Sequence, residues 1–74
     1  MRVAHDWGKV RIVHLGSPMD HASDIVVETL EDNGVWKRYA GFNSLSDDYA
    51  FTNSREAAGR AIEMKAAEAA KAMS

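Results

Sequence analysis

The feature that most constrains the fold of this chain is its alanine-rich C-terminal segment, residues 54–73. Alanine has the highest intrinsic helix propensity, so the segment is predicted to form one long helix. Asn53 is the predicted N-cap, and Glu56 three residues later resembles the second half of a capping box. Apolar residues at spacings of three and four form one narrow stripe on this helix. They are Ala58, Ala61, Ile62, Ala66, Ala69 and Met73.

The rest of the chain predicts a small sheet on which this stripe can pack. Residues 9–15 carry apolar side chains on both sides of an alternating pattern, which indicates a strand, and residues 1–4 are a candidate partner strand. Residues 16–23 and 43–48 are predicted loops, and residues 49–52 a brief strand. The predicted fold class is α+β: a small antiparallel sheet of three or four strands, with one long C-terminal helix packed on one face.

The clearest local signal is Asn33-Gly34, the preferred centre of a two-residue type I′ turn. It joins residues 24–32 to residues 35–42 as a hairpin and sets the predicted register. The predicted facing pairs are Asp32 with Val35, Glu31 with Trp36, Thr29 with Arg38, Glu28 with Tyr39, Val27 with Ala40 and Ile25 with Phe42. The face predicted to meet the helix carries Ile25, Val27, Trp36, Ala40 and Phe42.

The length of 74 residues predicts one domain, residues 1–74, with a sheet region at 1–52 and a helix region at 53–74. The chain has no cysteine, so it has neither disulfides nor thiolate ligands for zinc. A core of this size gives marginal stability, and oligomerisation is a common remedy. Because alanines bury little area, the helix between Ala66 and Met73 is expected to lie free or to form a homodimer surface.

The formal net charge of −2 argues against a general affinity for nucleic-acid backbones, which requires concentrated positive charge. No apolar run reaches the length of a membrane span, and the first residues lack the apolar region of a signal peptide. The expected localisation is therefore cytoplasmic, with no membrane contact.

The sequence contains no arrangement typical of a catalytic or metal site. His5, His14 and His21 have neither the spacing of a helical pair nor that of a zinc finger. No serine lies in a nucleophile elbow, and the glycines form no phosphate-binding loop. We therefore expect no enzymatic activity, no metal and no cofactor. A small metal-dependent or hydrolytic enzyme is the third hypothesis, after two kinds of binding protein.

The first hypothesis is a module that binds another protein. Aromatic anchors surrounded by polar side chains are typical of protein interfaces. The candidates lie at the predicted hairpin tip and in the polar loop that follows the hairpin. They are Glu31, Asp32, Trp36, Asp47, Asp48 and Tyr49. The structural alternative is that the acids are solvated loop ends and that Trp36 is a core residue.

The second hypothesis is a small nucleic-acid-binding module with a sheet and a helix. Trp36 is followed by Lys37, Arg38 and Tyr39, and Arg11 lies on a neighbouring predicted strand. Basic and aromatic side chains on a strand are typical of β-ribbon contacts to nucleic acid. The structural alternative is cross-strand ion pairing with the acidic residues of the opposite hairpin strand.

In size and layout, the whole chain resembles small inhibitors carried by phages and other mobile elements, anti-CRISPR proteins among them. The features that carry this resemblance are a hairpin over residues 24–42 and a helix beginning Asn53-Ser54-Arg55-Glu56-Ala57-Ala58. The resemblance implies stoichiometric binding to a large host nuclease or surveillance complex. Inhibitors that mimic DNA are usually more acidic than this chain.

Overall fold

The computed structural model describes residues 1–16 and 22–73 and contains four strands followed by one helix. They are β1 (Arg2–Asp6), β2 (Val10–His14), β3 (Ile25–Leu30), β4 (Trp36–Phe42) and α1 (Ala50–Ala72). The predicted α+β fold, with a small antiparallel sheet and a C-terminal helix, is confirmed. Most of the loop predicted at residues 16–23 lies outside the described residues.

The four strands follow one another across the sheet in chain order, each antiparallel to its neighbour. Both edge strands contain an irregularity. In β1 the register with β2 shifts between Val3 and His5, and in β4 it shifts opposite Val27 and Glu28, where Tyr39 is the extra residue. A strand with an extra residue bends and turns its later side chains to the other face.

The hairpin between β3 and β4 has a three-residue loop, so the predicted two-residue turn is wrong. Gly34 N–H donates to Glu31 O at 2.9 Å, and Glu31 N–H donates to Val35 O at 2.9 Å. The loop therefore comprises residues 32–34. Gly34 has φ of +84°, the left-handed conformation that closes three-residue hairpins of this kind.

The predicted hairpin register is confirmed on one side of the Tyr39 irregularity and wrong on the other. Ile25 faces Phe42 and Val27 faces Ala40, as predicted. The pairs beyond the irregularity are Glu28 with Arg38, Thr29 with Lys37 and Leu30 with Trp36. Trp36 therefore lies on the sheet face that points away from the helix, and its predicted place in the core is wrong. The third loop residue shifts the register by one position, and the extra residue Tyr39 in β4 shifts it back, so the pairs far from the loop match the prediction.

The core lies between α1 and one face of the sheet. Its sheet side consists of branched residues from β2 and β3, and its helix side of alanines. The buried members are Val10, Ile12, Ile25, Val27, Ala50, Ala57, Ala58 and Ala61, with Ala40 and Phe42 packed against them. Among the described elements, α1 contacts β2, β3 and β4 but not β1. His5 and Trp7 are consequently exposed, with their rings stacked 5.5 Å apart.

The sheet covers the helix only as far as Ala61. Of the predicted stripe, Ala58 and Ala61 are buried, whereas Ile62 is 37% exposed and Met73 88% exposed. Every residue from 62 to 73 is exposed apart from Lys65, which is half-buried. The expectation that the far end of the helix is left uncovered by the sheet is confirmed.

The helix begins at Ala50, four residues before the predicted start, and the predicted strand at 49–52 is wrong. Asp47 explains the difference, because its carboxylate accepts hydrogen bonds from Tyr49 N–H and from Asn53 Nδ2, both at 2.9 Å. Asn53 thus lies inside the helix and is not its N-cap. An aspartate that bonds the backbone two residues later favours a turn, and here that turn leads into the helix.

Asp24 fixes the loop after β4 to the start of β3. Its carboxylate oxygens accept hydrogen bonds from Ser44 N–H at 2.8 Å and Ser44 Oγ at 2.5 Å. Burial by itself would raise the pKa of Asp24, but the two bonds from Ser44, together with the backbone N–H of Asp24 and the nearby His14, outweigh it and hold that pKa below its ordinary 3.8. The charged form of Asp24 is therefore the one that stabilises the fold.

Replacing Ser44 with alanine should lower the free energy of unfolding by about 1 kcal/mol at neutral pH, because a buried carboxylate loses the hydrogen bond from the Ser44 hydroxyl. A carboxyl whose pKa is depressed by folding stabilises above its unfolded pKa and loses that contribution as the pH falls through the folded value. The difference between wild type and Ser44→Ala in urea unfolding should therefore shrink below about pH 4.

Ser46→Ala is the matched control, because Ser46 lies in the same loop but is exposed. It should change stability little at any pH. If Ser44→Ala and Ser46→Ala had equal effects, or if the effect of Ser44→Ala were constant with pH, Asp24 would not be the stabilising partner.

Candidate functional site

The six residues predicted to contact a protein form two groups at opposite ends of the molecule. One group is Glu31, Asp32 and Trp36, and the other is Asp47, Asp48 and Tyr49. The helix connects the two ends. It begins beside Tyr49, and its Lys65 meets Glu31. Lys65 lies about 22 Å along the axis from Ala50 at 1.5 Å per residue. The six residues therefore do not form one site.

The tip of the β3–β4 hairpin and residues 62–72 of α1 flank an open groove of about 940 Å³, which we call the hairpin groove. Its floor combines small apolar side chains with charges of both signs. The lining residues are Lys9, Leu30, Glu31, Asp32, Asn33, Gly34, Lys65, Glu68, Ala69 and Ala72. It is the larger of the two described grooves, and it lies where the helix leaves the sheet.

Lys65 connects the two walls of the hairpin groove. Its Nζ donates to Glu31 Oε2 at 2.9 Å and lies 3.2 Å from Glu68 Oε2. The hydrogen bond with Glu31 raises the pKa of Lys65, and Glu68 adds to the effect. The same hydrogen bond lowers the pKa of Glu31, with a further contribution from Lys37. Both partners are therefore charged over a wide range around neutral pH, and the bridge persists there.

Trp36 lies behind the groove wall, on the sheet face that points away from the helix. The guanidinium carbon of Arg11 lies 4.0 Å from the centre of its ring, which is a cation–π contact. Arg11 Nε also donates to Glu28 Oε1 at 2.8 Å. Arg11 is thus fixed between an aromatic ring and a carboxylate, and Trp36 remains half-exposed beneath it.

Arg11 belongs to a row of charged residues that crosses the whole sheet on this face. The register pairs Asp6 with Arg11, Arg11 with Glu28, and Glu28 with Arg38. The signs alternate from one strand to the next, so each residue of the row is paired with a residue of opposite charge on a neighbouring strand. This row has no net charge.

Arg38 does not point straight out from the row. Its Nη2 donates to Ser23 Oγ at 2.7 Å, and its guanidinium lies over Gly41. Gly41 pairs with Val26, and Val26 pairs with Val13. Both valines are buried although they lie on the face away from the helix.

The structure does not bring the four candidate nucleic-acid-binding residues together. Arg11 and Arg38 share the face away from the helix and both have partners. Lys37 pairs with Thr29, which is buried on the helix side, so Lys37 points to the other face. Tyr39 is the extra residue of β4 and is 37% exposed.

The second group of predicted partner residues differs in character. Asp47 is half-buried, and its carboxylate is used in the turn before the helix. Asp48 and Tyr49 are exposed, and Tyr49 at 71% is among the most exposed aromatic side chains. Phe51, 56% exposed, lies in the first turn of the helix nearby.

Sequence reasoning missed Lys65 and Glu68, which line the groove. Glu31 and Lys65 are 34 residues apart, and no local pattern links them. Among residues 1–16 and 22–73, no group of three or more His, Asp or Glu side chains is placed to hold a metal ion. His21 lies outside this part of the chain.

Replacing Lys65 with methionine should loosen residues 62–72 of the helix, because the bridge to Glu31 ties them to the hairpin. Amide hydrogen exchange in these residues should become faster, while exchange between Ala50 and Ala61 should change little. Arg60→Met, at an exposed position five residues earlier, is the control. Equal exchange in wild type and Lys65→Met would show that the bridge does not hold this part of the helix.

A methyl group on residue 41 should displace Arg38. The added Cβ would lie 2.0 Å from Arg38 Nη2 and 2.5 Å from Ser23 Oγ. Because the end of a long side chain can move, Gly41→Ala should cost no more than about 1 kcal/mol in unfolding free energy. Ser23→Ala removes the same hydrogen bond, so the double variant should be little less stable than either single one. Fully additive losses would contradict this.

Comparison of the chain with protein-family models, with curated proteins and with solved structures finds no match. No helix in the described part of the chain is long and apolar enough to cross a membrane. The arrangement of the chain's own side chains is therefore the guide to its function.

Proposed function

We propose that this protein is a non-enzymatic binding module that contacts a protein partner with the hairpin end of the molecule. The observation that carries the proposal is the hairpin groove, an open groove between the hairpin tip and the uncovered end of the helix. Trp36 lies directly behind it, next to Leu30. In this proposal the contact surface includes Glu31 and Asp32, which line the groove, and Trp36, which lies at the same end on the other sheet face.

The side chains at this end resemble the centre of a protein interface. Tryptophan and arginine are enriched among residues whose truncation costs most in binding. Trp36 is held by Arg11 before any partner arrives, which reduces the entropy lost on binding. Val35, 57% exposed at the hairpin, adds apolar area, and Asp32 supplies a polar rim.

The distribution of charge favours a protein over a nucleic acid. A nucleic-acid surface needs several cations directed at neighbouring phosphates. Here Arg11 is paired with Glu28, Arg38 is bonded to Ser23, and Lys37 points to the other face of the sheet. Each positive charge in the row across the sheet is next to a negative one, so the field that attracts phosphates is small.

The concrete form that we propose is a stoichiometric inhibitor of the anti-CRISPR type, carried by a phage or another mobile element. Size and layout support this form. A rigid 74-residue chain that presents one prepared surface can block a site on a large host complex without chemistry of its own. Its near-neutral exposed sheet face supports occlusion by contact more than imitation of DNA.

A second copy of this chain is the other partner to consider, through the helix surface between Ala66 and Met73. That surface is exposed, but it is short and made mainly of alanine. A helix of about eight residues is roughly 12 Å long. Stable interfaces bury about 800 Å² on each partner, far more than so short an alanine surface offers. The helix end therefore fits better as one wall of the groove than as a complete dimer interface.

Trp36→Ala should abolish capture of a protein partner from a bacterial lysate by the immobilised chain, because it removes the aromatic anchor. Asp32→Ala should weaken capture by a smaller factor, as expected of a rim residue. Tyr49→Ala is the control, since it removes an exposed aromatic side chain at the opposite end. Capture that survives Trp36→Ala but is lost with Tyr49→Ala would place the contact surface at the Tyr49 end and would contradict the proposal.

The nucleic-acid hypothesis is tested separately by gel shift at low salt. Under our proposal the wild type should not retard nucleic acid. Retardation that disappears in the double variant Arg11→Glu and Arg38→Glu, but not in Trp36→Ala, would replace the proposed function with nucleic-acid binding.

A further inference from the structure

The end of the molecule opposite the hairpin contains a second cavity, with a volume of about 430 Å³. The first residues of β1, the last of β2 and the first turn of α1 surround it. Arg2, His14, Asp24, Ser44 and Phe51 are among its lining residues. None of them belongs to the hairpin groove, so this cavity is independent of the proposed protein contact.

Arg2 and His14 are hydrogen-bonded across the mouth of this cavity. Nη2 of Arg2 lies 2.9 Å from Nδ1 of His14. A guanidinium has no acceptor and always donates, so Nδ1 of His14 must carry a lone pair. His14 is therefore neutral in this arrangement, and its proton lies on Nε2.

The charges around His14 come from β1 and from the residue that precedes β3. Burial lowers the pKa of His14 below its ordinary 6.5, and Arg2 and His5 on β1 lower it further. Asp24 at the start of β3 acts in the opposite sense. None of the charged side chains that shift this pKa lies on the helix, which contributes the edge-on ring of Phe51 at 5.6 Å. This balance keeps His14 neutral next to a permanent cation.

The cavity also lies beside the positive end of the helix dipole. Phe51 belongs to the first turn of α1, and no acidic residue lies in that turn. The carboxylate of Asp47, just before the helix, is already bonded to Tyr49 N–H and Asn53 Nδ2. Asp24 is the one acidic residue among the described residues that line this cavity. Its carboxylate already accepts two hydrogen bonds from Ser44. Arg2 is exposed, so its fork of donors is open to solvent.

We propose that Arg2 and His14 form a binding site for an oxyanion, either a carboxylate or a phosphate group, at the mouth of this cavity. A guanidinium matches the geometry of both groups with two parallel N–H donors. His14 offers Nε2–H when neutral and two N–H donors when protonated. The ligand is an anionic group small enough to reach both side chains at once.

Binding of the anion and protonation of His14 should favour each other. A bound oxyanion offsets the positive charge of Arg2, which now disfavours the imidazolium. Once Nδ1 is protonated, it can no longer accept the hydrogen bond from Arg2. Both side chains can then donate to the anion. Coupling of this kind is reciprocal, and affinity should therefore rise as the pH falls through the pKa of His14.

The test is an NMR titration of the His14 ring against pH, with inorganic phosphate, with acetate, and with sodium chloride at matched ionic strength. Phosphate or acetate should raise the titration midpoint of His14 by about half a pH unit relative to chloride, which corresponds to about threefold tighter binding below the midpoint than above it. A response to phosphate alone assigns a phosphate ligand, and a response to acetate alone assigns a carboxylate.

Two variants test whether the anion-dependent shift depends on Arg2 and His14. Arg2→Gln should abolish the anion-dependent shift, and His14→Gln should leave weak binding, seen from shifts of neighbouring amides, without pH dependence. Equal midpoints in all three salts, or the same shift in Arg2→Gln as in wild type, would overturn the proposal. Trp36→Ala should not affect it, because Trp36 lies at the other end.

Discussion

Close packing of small helix residues on a branched sheet surface is the interaction on which the rest of the structure depends. Ala57, Ala58 and Ala61 bring the helix backbone near the valines and isoleucines of β2 and β3. Each buried alanine contributes only roughly 1 kcal/mol, because it buries little apolar area, so the contact depends on close packing between the helix and the sheet. The same packing stops at Ala61, and this leaves residues 62–72, nearly half of α1, available to form a wall of the hairpin groove.

The sequence predicted the parts of this fold that depend on local pattern. Helix propensity identified α1, Asn33-Gly34 identified the hairpin, and alternation identified β2. The errors came from contacts that single-residue patterns do not encode. The helix starts early because of Asp47, whose partner Asn53 had looked like the cap itself. The three-residue loop and the extra residue Tyr39 each shift the hairpin register by one residue. The two shifts cancel in the pairs far from the loop but not around Trp36.

The candidate site was less predictable than the fold. Trp36, Glu31 and Asp32 were identified by residue type and lie near the groove, but the helix side of that groove depends on Lys65 meeting Glu31 across 34 residues. Arg2 and His14 also meet only when β1 pairs with β2. Asp47 and Tyr49 were chosen by the same criteria as Glu31 and lie at the other end. Residue type suggests what can bind, whereas only tertiary structure decides what lies together.

The irregularities in the two edge strands limit the ways in which other chains can attach. A regular edge presents an unbroken line of backbone N–H and C=O groups, on which a foreign strand can align. In β1 that line is interrupted between Val3 and His5, and in β4 at Tyr39. Neither edge is a good template for extending the sheet, so growth into fibrils from the native state is hindered at both sides. Recognition of this molecule must then depend on side chains, which are easily changed by mutation without disturbing the backbone.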